Sequence, residues 1–252
     1  MSSGESDYDW ARCWYVGRRV LVTGGTSGIG AAIASAFQQA GAEVIATGIA
    51  PSEIEMMAKR HGDDIDCRLL DVRDQTAVES LVGGFKALDI VVNCAGVIRR
   101  NDELDPAVFD QVVDINLNGT MRVCAAVRAL LVRSDAAAIL NTASMLSFFG
   151  GGLVPAYAAS KGGIAQLTKS LAISYARDAI RVNAVAPGWI ATPLTQGLRD
   201  DQDRSEAILA RTPLNRWGQG GDVAGAALFL CSPAAAFITG TILTVDGGYS
   251  IC

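Results

Sequence analysis

Histidine is almost missing from this chain: His61 is the only one among 252 residues. That scarcity argues against a histidine-built zinc site and against a Ser-His-Asp triad, and no metal is expected. His61 follows Lys59 and Arg60 near an expected helix end and reads as a solvated residue. Charge is also scarce. Charged residues make up 19% and the formal net charge is −5, so no basic patch is available for nucleic acid. An anionic ligand then has to be held by local backbone donors. The six cysteines, Cys13, Cys67, Cys94, Cys124, Cys231 and Cys252, show no paired spacing, and four sit inside apolar stretches. Free thiols of that kind fit a reduced, cytoplasmic protein. No apolar run approaches the length of a membrane span. Met1 to Trp14 carries acidic residues and no apolar core segment, so no signal peptide is expected.

What the chain does have is a strand–helix alternation from end to end. Half its residues are hydrophobic, as suits a sheet covered on both faces, and the length fits one α/β domain. Expected strands are Arg19–Thr23, Glu43–Thr47, Cys67–Asp71, Asp89–Asn93, a run ending at Ser144, Arg181–Ala186 and Thr241–Val245. One long helix is expected from about Pro106 to Leu131. Seven strands separated by helices imply a Rossmann-type, doubly wound parallel sheet. The domain is read as 18–252. Residues 1–17, with Trp10, Trp14 and Tyr15, form an extension that covers a subunit surface or trails as a tail. Residues 193–221 interrupt the alternation and suit a substrate lid over the strand ends.

The first strand opens into Gly24-Gly-Thr26-Ser27-Gly28-Ile29-Gly30 and then a helix. That is the setting a dinucleotide-binding loop needs: glycine admits a pyrophosphate to the backbone, and the helix N-terminus offers free N–H groups. Gly48 and Ile49 follow strand two, Asp71 and Val72 end strand three, and Asn93, Ala95 and Gly96 end strand four. All lie on the rim where open α/β sheets bind ligands. Asp71 can accept from an adenine amino group.

Tyr157 and Lys161 are four apart, which puts both on one helix face with an ammonium near a phenol. A nearby positive charge lowers a phenol's pKa, so Tyr157 can exchange a proton with a substrate hydroxyl. Ser144 ends a buried strand, where its hydroxyl can polarise a carbonyl.

Together with Asn116, Pro187, Gly188 and Thr192, these motifs resemble the short-chain dehydrogenase/reductase superfamily over Arg18 to Gly248. Cys94 departs from the pattern, which often has asparagine there. The resemblance implies hydride transfer between an alcohol or ketone and a nicotinamide. Tyr157 would be the acid/base, Lys161 would activate it and bind the nicotinamide ribose, Ser144 would hold the substrate oxygen, and Asn116 would anchor a relay water. Pro187, Gly188, Ile190 and Thr192 would embrace the nicotinamide end. A dinucleotide-sensing protein that turns nothing over would have little reason to keep that catalytic set.

Strand two ends without the acidic residue typical of NAD binding and without an arginine for a 2′-phosphate, so NAD is expected over NADP. Arg99 and Arg100 can clamp a substrate carboxylate. That stretch and the lid resemble 2-dehydro-3-deoxy-D-gluconate 5-dehydrogenase and gluconate 5-dehydrogenase members, implying a sugar acid or related polyol. Leu146, Phe149 and Trp189 build an apolar wall that suits the alternative, a carbonyl or 3-oxoacyl thioester reductase. Val112 to Leu131 and Ile164 to Tyr175 are apolar enough for the helix pairing of a homotetramer, the family's usual assembly.

Overall fold

Val20 and Val22 turn to one side of the first strand and Leu21 to the other, and this period of two organises the whole sheet. The computed structural model describes residues 8–252. Its strands are β1 (Arg19–Thr23), β2 (Glu43–Gly48), β3 (Ile65–Leu69), β4 (Ile90–Asn93), β5 (Ala138–Thr142), β6 (Arg181–Pro187) and β7 (Ile242–Val245). They form one parallel sheet in the order β3-β2-β1-β4-β5-β6-β7. The order reverses at β1, which lies between β2 and β4. Doubly wound sheets bind ligands beside such a switch point.

The helices are α1 (Arg12–Tyr15), α2 (Gly28–Gln39), α3 (Pro51–His61), α4 (Gln75–Gly83), α5 (Pro106–Val113), α6 (Gly119–Leu131), α7 (Pro155–Tyr175), α8 (Gln196–Arg199), α9 (Gln202–Ala210) and α10 (Gly220–Cys231). Their starts follow local chemistry. Asp74, Asp105 and Asp201 cap α4, α5 and α9 by accepting from backbone N–H groups, and Pro51, Pro106 and Pro155 occupy first turns. One core layer joins Val20, Val22, Val44, Val92 and Leu140 to Ile33 and Phe37 of α2 and Leu228 of α10. The other joins Leu21, Val91, Ile139 and Val182 to Val127 and Leu131 of α6 and Tyr175 of α7. The expected single-domain, seven-stranded Rossmann-type fold is what forms.

Some local expectations differ from the structure. β3 starts at Ile65 rather than Cys67 and ends at Leu69, two residues before Asp71. It is an edge strand whose outward Asp66 and Arg68 pair with each other, so its polar start hid it. The long helix expected from Pro106 is broken by a π-helical turn at Asp114–Asn118. Residues 193–221, the expected lid, hold α8 and α9, but the last of them, Gly220 and Gly221, open α10 in the core layer. Residues 8–16 pack on their own chain. Tyr15 is fully buried against Phe37, its rings 5.0 Å apart, and its hydroxyl donates to the Leu228 carbonyl. Tyr8 donates to the Gly221 carbonyl at 3.3 Å. Residues 1–7 of the expected extension lie outside the described residues.

Candidate active site

The catalytic set converges where β5 ends and α7 begins. Ser144 stands two residues beyond β5 in extended conformation, capping a short turn, Met145–Ser147, by accepting from Leu146 N–H. Ser147 ties that turn to α7 by donating to the Lys161 carbonyl at 2.7 Å. On α7, the Lys161 Nζ lies 5.6 Å from the Tyr157 ring centroid, as the four-residue spacing predicts. Ser160, between them, donates to the Tyr157 carbonyl and accepts from Asn116 Nδ2 at 3.1 Å.

Asn116 is completely buried in the π-helical turn. Its Oδ1 accepts from Val97 N–H at 2.8 Å and its Nδ2 donates to the Val97 carbonyl at 3.0 Å. A π turn re-aims one side chain inward without ending the helix, and such turns recur at functional sites. Gly96 sits directly beneath. A Cβ there would lie 3.2 Å from Asn116 Oδ1 and 3.8 Å from Lys161 Nζ, so glycine keeps the floor open.

Burial dominates the electrostatics of this pair. Burial pushes the Tyr157 phenol above its usual range; its hydrogen bond with Ser144 pulls it down, and the Glu103 carboxylate pushes it up again. Lys161 is itself pushed down to about 8 by burial. Both groups leave water together, so desolvation outweighs their mutual effect. Glu103 was not singled out by sequence. It is 1% exposed and its carboxylate accepts from Arg99 N–H and Tyr157 N–H, both at 2.8 Å, joining the strand-four loop to the first turn of α7. A carboxylate at a helix N-terminus is favourably placed, and this one fixes the start of the catalytic helix.

The glycine loop is shaped for a dinucleotide. Gly24 and Gly28 adopt φ of +64° and +53°, and a Cβ on Gly30 would lie 2.1 Å from the Gly24 carbonyl oxygen. Ser27 caps α2 with no side-chain hydrogen bond, which leaves first-turn N–H groups for an incoming pyrophosphate. Ile29, Pro187, Gly188, Ile190 and Thr192 line the same cavity as Ser144 and Tyr157. Ala95 packs its backbone against Gly24, and Gly48 lies against Thr26 beside the exposed Ile49. These residues fit the group they were expected to hold.

Three of the expected cofactor residues also have partners within the chain. Asp71 lies past β3 and is gripped by Arg73, whose guanidinium donates to both carboxylate oxygens and holds the acid below its usual pKa. Asn93 turns inward, donating to Asn141 Oδ1 at 2.9 Å and to Cys124 Sγ. Val72 is buried beneath Gly119.

A cavity of about 750 Å³ opens beside Ser144 and Tyr157. Arg100, Leu146, Phe149 and Trp189 line it as expected; Arg99 is exposed and does not. Two further cations line it from the lid side: Arg204, paired with Asp201, and Arg211. Arg211 stacks over Tyr249, 4.3 Å from the ring centroid, and over Phe149 at 5.5 Å. Sequence gave no local signal for it, since its meeting with Phe149 and Tyr249 is purely tertiary.

A family model described as enoyl-(acyl carrier protein) reductase matches residues 24–250. The chain is a short-chain dehydrogenase/reductase. As a member of that superfamily it is an NAD(P)-dependent oxidoreductase that interconverts alcohols and ketones. It is 40% identical over 240 residues to 2-dehydro-3-deoxy-D-gluconate 5-dehydrogenase of Bacillus subtilis (strain 168), covering 92% of this chain and 94% of that protein. It is 38% identical to galactitol 2-dehydrogenase (L-tagatose-forming) of Cereibacter sphaeroides over 93% and 96% of the two chains. Among solved structures, a gluconate 5-dehydrogenase from Burkholderia cenocepacia J2315, in complex with NADP and tartrate, is similar with a TM-score of 0.89 and 34% identity, covering 96% and 98%.

Proposed function

We propose that this short-chain dehydrogenase/reductase interconverts a sugar acid, or a closely related polyol, and its keto form. The observation that carries this reading is a pair of arginines, Arg100 and Arg211, that line the same cavity as Ser144 and Tyr157. Among the described residues neither forms an ion pair with an Asp or Glu side chain, whereas their neighbours Arg204 and Arg216 are paired. Guanidinium groups that bind no Asp or Glu side chain suit a substrate carboxylate, which they bind through paired N–H donors; Arg211 also donates to the Cys252 main-chain oxygen and the Tyr249 hydroxyl. The B. subtilis and B. cenocepacia relatives carry sugar-acid names, and the C. sphaeroides relative a polyol name.

In the mechanism we assign, Ser144 donates to the substrate oxygen and holds it beside the Tyr157 hydroxyl. Tyr157 gives its proton to the oxygen as a ketone is reduced and accepts one as an alcohol is oxidised. The nicotinamide, when bound, supplies or accepts the hydride. Lys161 would hold the nicotinamide ribose and keep its charge beside the phenol, and Asn116 would anchor a water that relays protons to Lys161. The glycine loop and Pro187 to Thr192 hold the cofactor; NAD is the form we favour, since neither cofactor segment offers a cation to a 2′-phosphate. The relative from B. cenocepacia holds NADP, so comparing Michaelis constants for NADH and NADPH decides this point.

A second reading, reduction of a carbonyl or 3-oxoacyl compound, is favoured by Leu146, Phe149, Trp189 and Leu194 in the cavity lining. A spectrophotometric screen of sugar acids, matched polyols and aryl ketones separates the two. Turnover confined to apolar ketones would overturn the sugar-acid reading.

A homotetramer is the assembly we assign, supported by Met121 on α6 and Ile173 on α7, both exposed apolar side chains. Light scattering tests it. A cytoplasmic location is supported by six free cysteines. No helix among the described residues is long and apolar enough to cross a membrane.

A further inference from the structure

The position where an acid usually meets the adenosine ribose, at the end of β2, is crowded by the Thr26 side chain. A Cβ on Gly48 would lie 2.0 Å from Thr26 Oγ1, so Thr26 of the glycine loop occupies that space. Thr26 is held there on two sides. The adjacent Gly25 N–H donates to the Thr47 carbonyl at 2.8 Å, and the Thr26 hydroxyl donates to Glu53 Oε2 at 3.4 Å. Glu53 sits in the first turn of α3 and is half-buried. It lies five residues past Gly48, the strand-end position from which nucleotide-binding folds usually supply a carboxylate to the ribose. Neither 24–30 nor 48–54 contains Lys or Arg to neutralise it.

We infer that Glu53 is the cofactor-specificity residue of this enzyme, selecting NAD by repelling the 2′-phosphate of NADP. Its carboxylate reaches the ribose site from α3, through the space that Thr26 denies to residue 48. An anionic side chain accepts from a ribose 2′-hydroxyl and opposes a dianionic phosphate at the same point. The inference deepens the cofactor reading given above, and direct binding tests the two separately.

The experiment is titration of the cofactor-free protein with NADH and NADPH, followed by nicotinamide fluorescence, for wild type, Glu53→Gln and Glu53→Ala. The dissociation constant for NADPH is expected to fall about tenfold in both variants, while that for NADH changes by no more than about threefold. The wild-type penalty against NADPH, relative to the variants, should also shrink as salt is raised. A role confined to the start of α3 would change thermal stability and leave the NADPH-to-NADH ratio untouched. An unchanged ratio in both variants therefore overturns the inference. Tighter NADPH than NADH in wild type, with further tightening in the variants, would overturn the NAD preference and uphold Glu53.

Discussion

The Lys161 ammonium donates to the Thr142 carbonyl, 2.6 Å away, so the catalytic helix is tied to the last residue of β5 by a buried charge. Lys161 is 4% exposed. It loses water on folding, and that loss, more than any neighbour, sets its pKa.

Burial holds Lys161 at about 8, below its ordinary 10.5. Between those values the unfolded chain binds more protons than the folded one, so this residue's contribution to stability rises with pH across that window. Lys161→Met removes the rise. In urea unfolding of cofactor-free protein, the stability gap between wild type and variant should shift toward wild type by on the order of 2 kcal/mol from about pH 7 to about pH 10. A gap independent of pH would contradict the burial argument.

Arg100→Ala and Arg211→Ala should each raise KM for a sugar acid about tenfold or more, since each removes charge-assisted hydrogen bonds. A neutral polyol of the same length should be affected no more than about threefold. Arg211 also holds the Tyr249 ring and the Cys252 carbonyl, at 4.3 Å and 3.2 Å. Arg211→Lys therefore serves as the control that keeps the charge. Equal losses on acid and polyol would show that the arginines support the cavity wall and not a carboxylate.

How much of this was legible beforehand depended on whether the signal was local. The spacing of Tyr157 and Lys161 and the strand–loop–helix setting of Gly24 to Gly30 are short-range patterns, and both sit in the structure where those patterns place them. The π turn at Asn116 escaped detection because shifting one backbone bond leaves composition and hydrophobic period unchanged. Asp71 was read for its acceptor oxygens alone, and its pairing with Arg73 two residues on, at 2.6 Å, was not foreseen. Arg211 and Glu103 draw their roles from partners distant in sequence. Tyr8, Ala11 and Tyr15, all buried, are spaced by three and four, a helical period that could have revealed their inward face.

That N-terminal face gives a further test. Tyr15→Phe should cost about 1 kcal/mol for the lost hydroxyl bond to the Leu228 carbonyl, and Tyr15→Ala about 3–5 kcal/mol for the emptied space beside Phe37. Chemical denaturation measures both. Neutral effects would mean that residues 8–16 contribute little to the fold.

The most direct test of the proposed chemistry is Tyr157→Phe, which removes the proton-transfer group and keeps the ring. Turnover on the best substrate of the screen should fall by about a thousandfold or more, with the dissociation constant for NADH within about threefold of wild type. Wild-type-like turnover in that variant would contradict the assignment of Tyr157 as acid and base.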